Sequence, residues 1–154
     1  MRERGFTLIE ALVVLSIVAI VLAIGAPNLS FLIGSINARS ASFDLVGDLA
    51  LARSEAIKRN AQVDVVPVGG NWAQGWRIES GGATLRRREA LPVALSVTTN
   101  LATVQFQANG RFIADATNPS ANAAWAITSS NATPRCIVIT PTGTARSEIR
   151  KTCP

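Results

Sequence analysis

The residue that most constrains the chemistry of this 154-residue chain is Glu10, a carboxylate at the edge of a long apolar run. The 28 residues at positions 11–38 carry no charge, and the next charged side chain is Arg39. A charged group within an apolar membrane segment costs about 2.5 to 3.5 kcal/mol on insertion scales unless it finds a partner. The sequence therefore predicts that Glu10 either reaches a polar interface or pairs with a cation.

The remaining polar residues do not form a pattern typical of catalysis. The chain has no histidine to act as a general base, and its serines and aspartates show no triad or paired-carboxylate spacing. It contains no glycine-rich phosphate-binding motif. A metal site is not expected, because there is no histidine and no second pair of cysteines. We therefore expect a protein that is not an enzyme and that takes no cofactor.

Two cysteines, Cys136 and Cys153, lie near the C-terminus. If this part of the chain is exported, a disulfide between them is the expected state, and two unrelated thiols are the alternative. The bond would close a loop of about 18 residues, which is worth roughly 3 kcal/mol in chain entropy.

An apolar N-terminal segment that contains Glu10 is expected to form a helix. Residues 6–27 are long enough to cross a hydrocarbon core, which needs about 20 residues. Arg2 and Arg4 precede the run, so the positive-inside rule keeps the N-terminus cytoplasmic. A secretory signal peptide cleaved near residues 23–25 is the competing interpretation. Pro27 is expected to loosen or kink the helix rather than end it.

Beyond Pro27 the helical pattern continues to Asn60 and becomes amphipathic. One apolar stripe recurs at spacings of four, three and four, and the charged residues of this stretch are expected on other faces. The stripe consists of Leu45, Leu49, Ala52 and Ala56, and the charged residues are Asp44, Asp48, Glu55, Lys58 and Arg59.

After Asn60 the hydrophobic period changes to two, which is typical of strands. Glycine-containing turns at residues 69–71, 81–82 and 109–110 indicate hairpins, and residues 141–143 indicate a turn into a last strand. Residues 115–124 are expected to form a loop. The fold class predicted is α+β, with a long N-terminal helix, membrane-embedded in its first half and amphipathic in its second, packed on an antiparallel β-sheet head. For Trp72 and Trp76, packing in the core is preferred over stacking on a ligand.

The N-terminus resembles the type IV pilins and the pseudopilins of type II secretion. The resemblance rests on Gly5, Phe6, Glu10 and the apolar helix to Pro27. It implies that a prepilin peptidase cuts between Gly5 and Phe6 and N-methylates Phe6. It also implies that Glu10 pairs with the terminal amine of a neighbouring subunit during assembly.

A second resemblance, to FimT/GspH-like minor pilins, rests on residues 51–60, on the Gly75-Trp76 pair and on Pro141-Thr142-Gly143. Some FimT-like proteins bind DNA through a C-terminal Gly-Arg-x-Arg element, and here Thr144 replaces the first arginine. The net charge of +5 is compatible with such a partner. A solvated basic face is the alternative. The candidate DNA-binding residues are Arg135, Arg146, Arg150, Lys151, Arg86, Arg87 and Arg88.

The resulting hypothesis is a minor pilin or pseudopilin that primes or caps a type IV pilus or a type II secretion pseudopilus. Residues 1–5 would be a leader, 6–27 a transmembrane assembly helix, 28–60 its amphipathic continuation and 61–154 a periplasmic head. The expected partners are other pilins, the prepilin peptidase and the bacterial inner membrane, with DNA as a further candidate. The alternatives are a FimT-like DNA receptor in natural transformation and a secreted β-rich protein.

Overall fold

A computed structural model describes residues 7–113, 123–129, 132–150 and 152–153, with backbone alone for residues 26–28. Gly5, Phe6, Lys151 and residues 115–122 of the expected loop lie outside the described residues. The loop prediction is wrong for Ala123 and Ala124, which begin a strand.

The chain begins with a helix, α1, that runs for 52 residues from Leu8 to Arg59. It continues through Pro27, as predicted. Asn60 ends it with a positive φ of 47°, a conformation that asparagine tolerates better than most residues. The amides of Asn60 and Ala61 bond back to the carbonyls of Ile57 and Ala56, each at 3.2 Å, which satisfies two carbonyls at the helix end.

The chain divides into two units, residues 1–33 and residues 34–154. In the first unit, every side chain described at positions 7–25 and 29–33 is exposed. By length and composition alone, α1 is long and apolar enough to cross a membrane.

The second unit contains antiparallel strands in two sheets, within the part of the chain that the structure describes. One sheet has the order β3-β2-β1-β5-β6 and the other β4-β7-β8-β9. The strands are β1 Val63–Pro67, β2 Trp76–Ser80, β3 Ala83–Arg88, β4 Leu95–Thr99, β5 Val104–Phe106, β6 Phe112–Ile113, β7 Ala123–Ser129, β8 Arg135–Ile139 and β9 Ala145–Ile149. The α+β class and the long N-terminal helix are confirmed.

The predicted turns are present, with two differences in detail. The connection between β1 and β2 extends beyond residues 69–71, because two short 3-10 turns, Val68–Gly70 and Trp72–Gln74, fill it. In the turn between β5 and β6 only Gly110 has a positive φ, 74°, and Asn109 instead accepts the amide of Arg111 at 3.0 Å. That contact is typical of an asparagine-stabilised turn.

The core lies between the second half of α1 and the two sheets. The predicted stripe of Leu45, Leu49, Ala52 and Ala56 is fully buried, as are Trp72 and Trp76. Trp72 packs edge-on against Trp125, with ring centroids 5.3 Å apart, and donates its indole N–H to the carbonyl of Leu101 at 3.0 Å. The two tryptophans therefore serve packing, as preferred from the sequence.

Asp48, which was expected on a face of α1 other than the apolar stripe, is buried. Its side chain is 2% exposed, and its carboxylate accepts the indole N–H of Trp76 at 2.9 Å. Arg86 and Arg88 reach the same carboxylate, each at 3.1 Å. Three donors from β2 and β3 compensate the burial of the charge, which water would otherwise have to solvate.

Candidate functional site

The N-terminal turn of α1 holds Glu10 in a cap that sequence reasoning missed. The hydroxyl of Thr7 accepts the backbone amide of Glu10 at 3.3 Å, and the carbonyl of Thr7 accepts the amide of Ala11 at 3.2 Å. Thr7-x-x-Glu10 has the spacing of a capping box, a pattern that could have revealed it. Glu10 is exposed in the first turn, where the helix dipole favours a negative charge. The structure thus shows a local cap from Thr7, and the assembly role of Glu10 stays a prediction.

The structure does not describe the predicted cleavage point, since Gly5 and Phe6 lie outside the described residues. The assembly role of Pro27 likewise stays a prediction.

Arg146 and Glu148 on β9, and Arg150 directly after it, face the same side, as strand alternation predicts. Glu148 stands between the two arginines and accepts both guanidinium groups, each at 2.6 Å. The row therefore carries a net charge of only +1. Both arginines remain about half exposed, at 60% and 48%, so they are still accessible to a further anion.

Arg135 does not belong to that row. It pairs across the ladder with Ile149, so it faces the side of the sheet opposite to Arg146 and Glu148. Its guanidinium lies 6.0 Å from the ring centroid of Phe43 on α1. The basic residues that sequence reasoning grouped near the C-terminus are thus divided between two faces.

The run from Arg86 to Arg88 is largely engaged with carboxylates. Arg86 and Arg88 bind Asp48, Arg88 also lies 3.4 Å from Asp44, and Arg87 lies 3.8 Å from Glu89. These contacts give the run a structural role in holding β3 against α1.

Cys136 and Cys153 form the predicted disulfide, with their Cα atoms 5.4 Å apart. Cys136 is buried on β8, so the bond ties the C-terminal segment back to an inner strand of its sheet.

Arg53 joins α1 to a turn from each sheet. Its Nε donates to the carbonyl of Gly110 at 3.1 Å, and its Nη1 lies 3.5 Å from the hydroxyl of Thr144. Gly143 has a φ of 81°, and a side chain there would meet the carbonyl of Gly110. Gly143 and Thr144 belong to the element that the sequence connects with DNA binding. In the structure they help to hold a turn of one sheet against a turn of the other.

Sequence comparisons match residues 41–143 to the family described as type II transport protein GspH. The chain belongs to the GspH family. Residues 1–26 of this GspH-family protein also match the prokaryotic N-terminal methylation motif. That match implies processing by a prepilin peptidase, while cleavage between Gly5 and Phe6 stays a prediction. Among curated proteins, no sequence matches significantly.

Two crystal forms of the type IV minor pilin FimU of Pseudomonas aeruginosa strain PAO1 share the fold of this GspH-family protein. The TM-scores are 0.60 and 0.58, at 24% and 23% sequence identity. The matches cover 75% and 73% of this chain, and 96% and 87% of the FimU chains. At this identity the likeness establishes the pilin fold, a long helix followed by antiparallel sheets. Together with the family match, it identifies the chain as a member of the minor pilin and pseudopilin family.

Proposed function

We propose that this GspH-family protein is a structural subunit of a type IV pilus or a type II secretion pseudopilus, acting at the tip or in priming. Before assembly it is a single-pass protein of the bacterial inner membrane with its head in the periplasm. Assembly moves the helix from lipid into contact with the helices of other subunits.

The observation that carries this proposal is the contrast between the two halves of α1. The second half buries Leu45, Leu49, Ala52 and Ala56 within the chain's own core. In the first half, the side chains at positions 7–25 and 29–33 are exposed although most are aliphatic. Exposed apolar surface of this extent needs a cover from outside the chain, first lipid and then neighbouring apolar helices.

Mass spectrometry of the mature protein from the producing cell tests the processing step. We expect a chain that begins at a methylated Phe6 and remains in the membrane fraction, because cleavage on the cytoplasmic side leaves the apolar helix attached. A Gly5→Leu variant should retain its leader and fail to enter filaments. A mature chain that starts near Ala26 would instead identify a cleaved signal peptide and refute the proposal.

The second candidate function, DNA binding in transformation, is favoured by the half-exposed Arg146 on β9 and Arg150 directly after it. Two guanidinium groups on one side of a strand can each contact a phosphate. Glu148 opposes them, so the expected affinity is that of weak, sequence-independent contacts, with a dissociation constant of about 1 to 100 μM at physiological salt.

The charges on and next to β9 allow a test of DNA binding with variants that should weaken it and a variant that should strengthen it. Arg146→Gln combined with Arg150→Gln should weaken retardation of duplex DNA in a gel-shift titration at low salt. Glu148→Gln should strengthen it, because the same two arginines lose their internal partner. Arg59→Gln combined with Arg111→Gln is the matched control for the double variant, because it also removes two positive charges, at the end of α1 and in the β5–β6 turn. Failure of micromolar wild-type protein to retard DNA would exclude this function.

A further inference from the structure

Two arginines of the second unit converge on one exposed aromatic ring. Phe43 on α1 is 53% exposed, and the guanidinium carbons of Arg39 and Arg135 lie 5.5 and 6.0 Å from its ring centroid. Arg39 is one turn before Phe43 on the same helix, whereas Arg135 begins β8. Such contacts are worth about 0.5 to 1 kcal/mol at exposed sites. We refer to Arg39, Phe43 and Arg135 as the arginine-phenylalanine cluster.

Among the residues that the structure describes, the two cations of the cluster have no carboxylate partner. Within the described ranges, no carboxylate lies within salt-bridge distance of Arg39 or Arg135, whereas the arginines on β3 and β9 have carboxylate partners. The aromatic ring contacts both guanidinium groups without neutralising them. This arrangement suits an external anionic group, which guanidinium can bind with two parallel hydrogen bonds.

Exposed aliphatic side chains adjoin the cluster. Ile36, 63% exposed, lies one turn before Arg39 on α1, and Ile149, 65% exposed, lies directly across the ladder from Arg135. A bilayer interface accommodates apolar side chains and cations together. A nucleic acid backbone would use the arginines but would leave both isoleucines in water. The composition of the patch therefore favours a lipid surface.

The position of the cluster along the chain agrees with this choice. It lies where α1 begins to be buried: Gly34 packs near Ser129, and Ser147 hydrogen-bonds Ser42 at 3.2 Å. The preceding 28 residues carry no charge. As α-helix they have a contour length of about 42 Å, close to the thickness of a bilayer with its headgroups, about 40 to 45 Å.

We propose that the arginine-phenylalanine cluster binds the headgroups of anionic phospholipids while the subunit is held in the membrane before assembly. The phosphates accept hydrogen bonds from Arg39 and Arg135, and Phe43, Ile36 and Ile149 contact the acyl boundary. This inference rests on the proposed function, since it requires that α1 lies in a bilayer. It assigns the cluster a part in setting the depth of the head above the membrane.

Native mass spectrometry of the full chain tests the inference directly. The protein is released from detergent micelles that contain phosphatidylglycerol and phosphatidylcholine in equal amounts, and the bound lipids are counted. We expect the wild type to retain phosphatidylglycerol preferentially. Arg39→Gln combined with Arg135→Gln should reduce that preference by an order of magnitude or more, at about fivefold for each arginine.

Arg59→Gln combined with Arg111→Gln is the matched control, because it removes the same charge at the C-terminal end of α1 and at the β5–β6 turn. It should keep the lipid preference within about twofold of the wild type, since screening weakens charges more than a Debye length of about 10 Å away. Near-UV circular dichroism of both variants verifies that the head remains folded. Equal retention of the two lipids by the wild type, or an unchanged preference in the first variant, would overturn the inference.

A second experiment distinguishes nucleic acid from lipid as the ligand of the cluster. A labelled oligonucleotide is titrated against the same proteins in detergent. If the first variant loses oligonucleotide binding yet keeps its phosphatidylglycerol preference, the cluster contacts nucleic acid and the lipid assignment is refuted. Alkaline carbonate extraction of membranes tests separately whether the chain is an integral membrane protein. A chain that is washed off refutes the proposed function, whereas a retained chain without lipid preference refutes only this inference.

Discussion

Replacement of Asp48 by alanine is expected to lower the free energy of unfolding by about 3 to 5 kcal/mol, the range for breaking a buried ion pair by removing one partner. The indole N–H of Trp76 would remain buried without an acceptor, which alone costs about 1 to 3 kcal/mol. Arg86 and Arg88 would lose the carboxylate that both reach at 3.1 Å. They are partly exposed, at 48% and 27%, so water compensates some of this loss.

Urea unfolding of the full chain in mild detergent, followed by tryptophan fluorescence, measures this effect. All three tryptophans lie in the second unit, so the signal reports on that unit. Asp44→Ala is the matched control: its carboxylate is 42% exposed and makes one contact of 3.4 Å with Arg88, so we expect a loss below about 1 kcal/mol. Similar losses for the two variants would contradict the role assigned to Asp48.

The second large effect is expected for Glu10 on filament assembly. Under the proposed function, Glu10→Ala should leave the chain in the membrane and reduce its incorporation into filaments at least tenfold. An apolar surrounding makes an unpaired carboxylate cost about 2.5 to 3.5 kcal/mol, and pairing with the amine of a neighbouring subunit recovers it. Only about 1.4 kcal/mol of such pairing suffices for a tenfold change. Immunoblots of sheared filaments against the membrane fraction provide the measurement.

Two companion variants separate charge from helix capping. Glu10→Gln keeps the spacing of the capping box but removes the charge, so it should behave like Glu10→Ala. Thr7→Ala removes the hydroxyl that accepts the amide of Glu10 at 3.3 Å and keeps the carboxylate, so its effect should be small. The mass of the mature chain verifies processing of each variant. Normal incorporation of Glu10→Gln would refute the pairing of Glu10 with the amine.

Periodicity made much of the fold readable from the sequence. The spacing of Leu45, Leu49, Ala52 and Ala56 predicted the buried face of α1, because a helix places residues three and four apart on one side. Asn60 and the glycine turns located the ends of elements, since those positions need backbone conformations that few residues adopt. The same regularity predicted that Arg146 and Glu148 on β9 share a side with Arg150, the residue that follows the strand.

Contacts between distant segments were not readable. Asp48 is three residues from Leu45 and four from Ala52, so its position beside the apolar stripe was visible. Its partners Trp76 and Arg88, however, are 28 and 40 residues away. Their approach depends on strand register, which a single sequence does not give. For the same reason the sequence grouped Arg135 with the arginines of β9, although pairing with Ile149 turns it to the other face.

The position of β9 at one end of the order β4-β7-β8-β9 has a consequence for aggregation. An edge strand presents unpaired backbone groups to which a strand of another molecule can add. Alternating charges on Arg146, Glu148 and Arg150 oppose the in-register addition of a second copy, because a parallel pairing, or an antiparallel pairing centred on Glu148, would bring like charges together. Under the proposed function, we expect this arrangement to protect heads crowded along a filament against such pairing with one another and to leave the helix as the part of the subunit that polymerises.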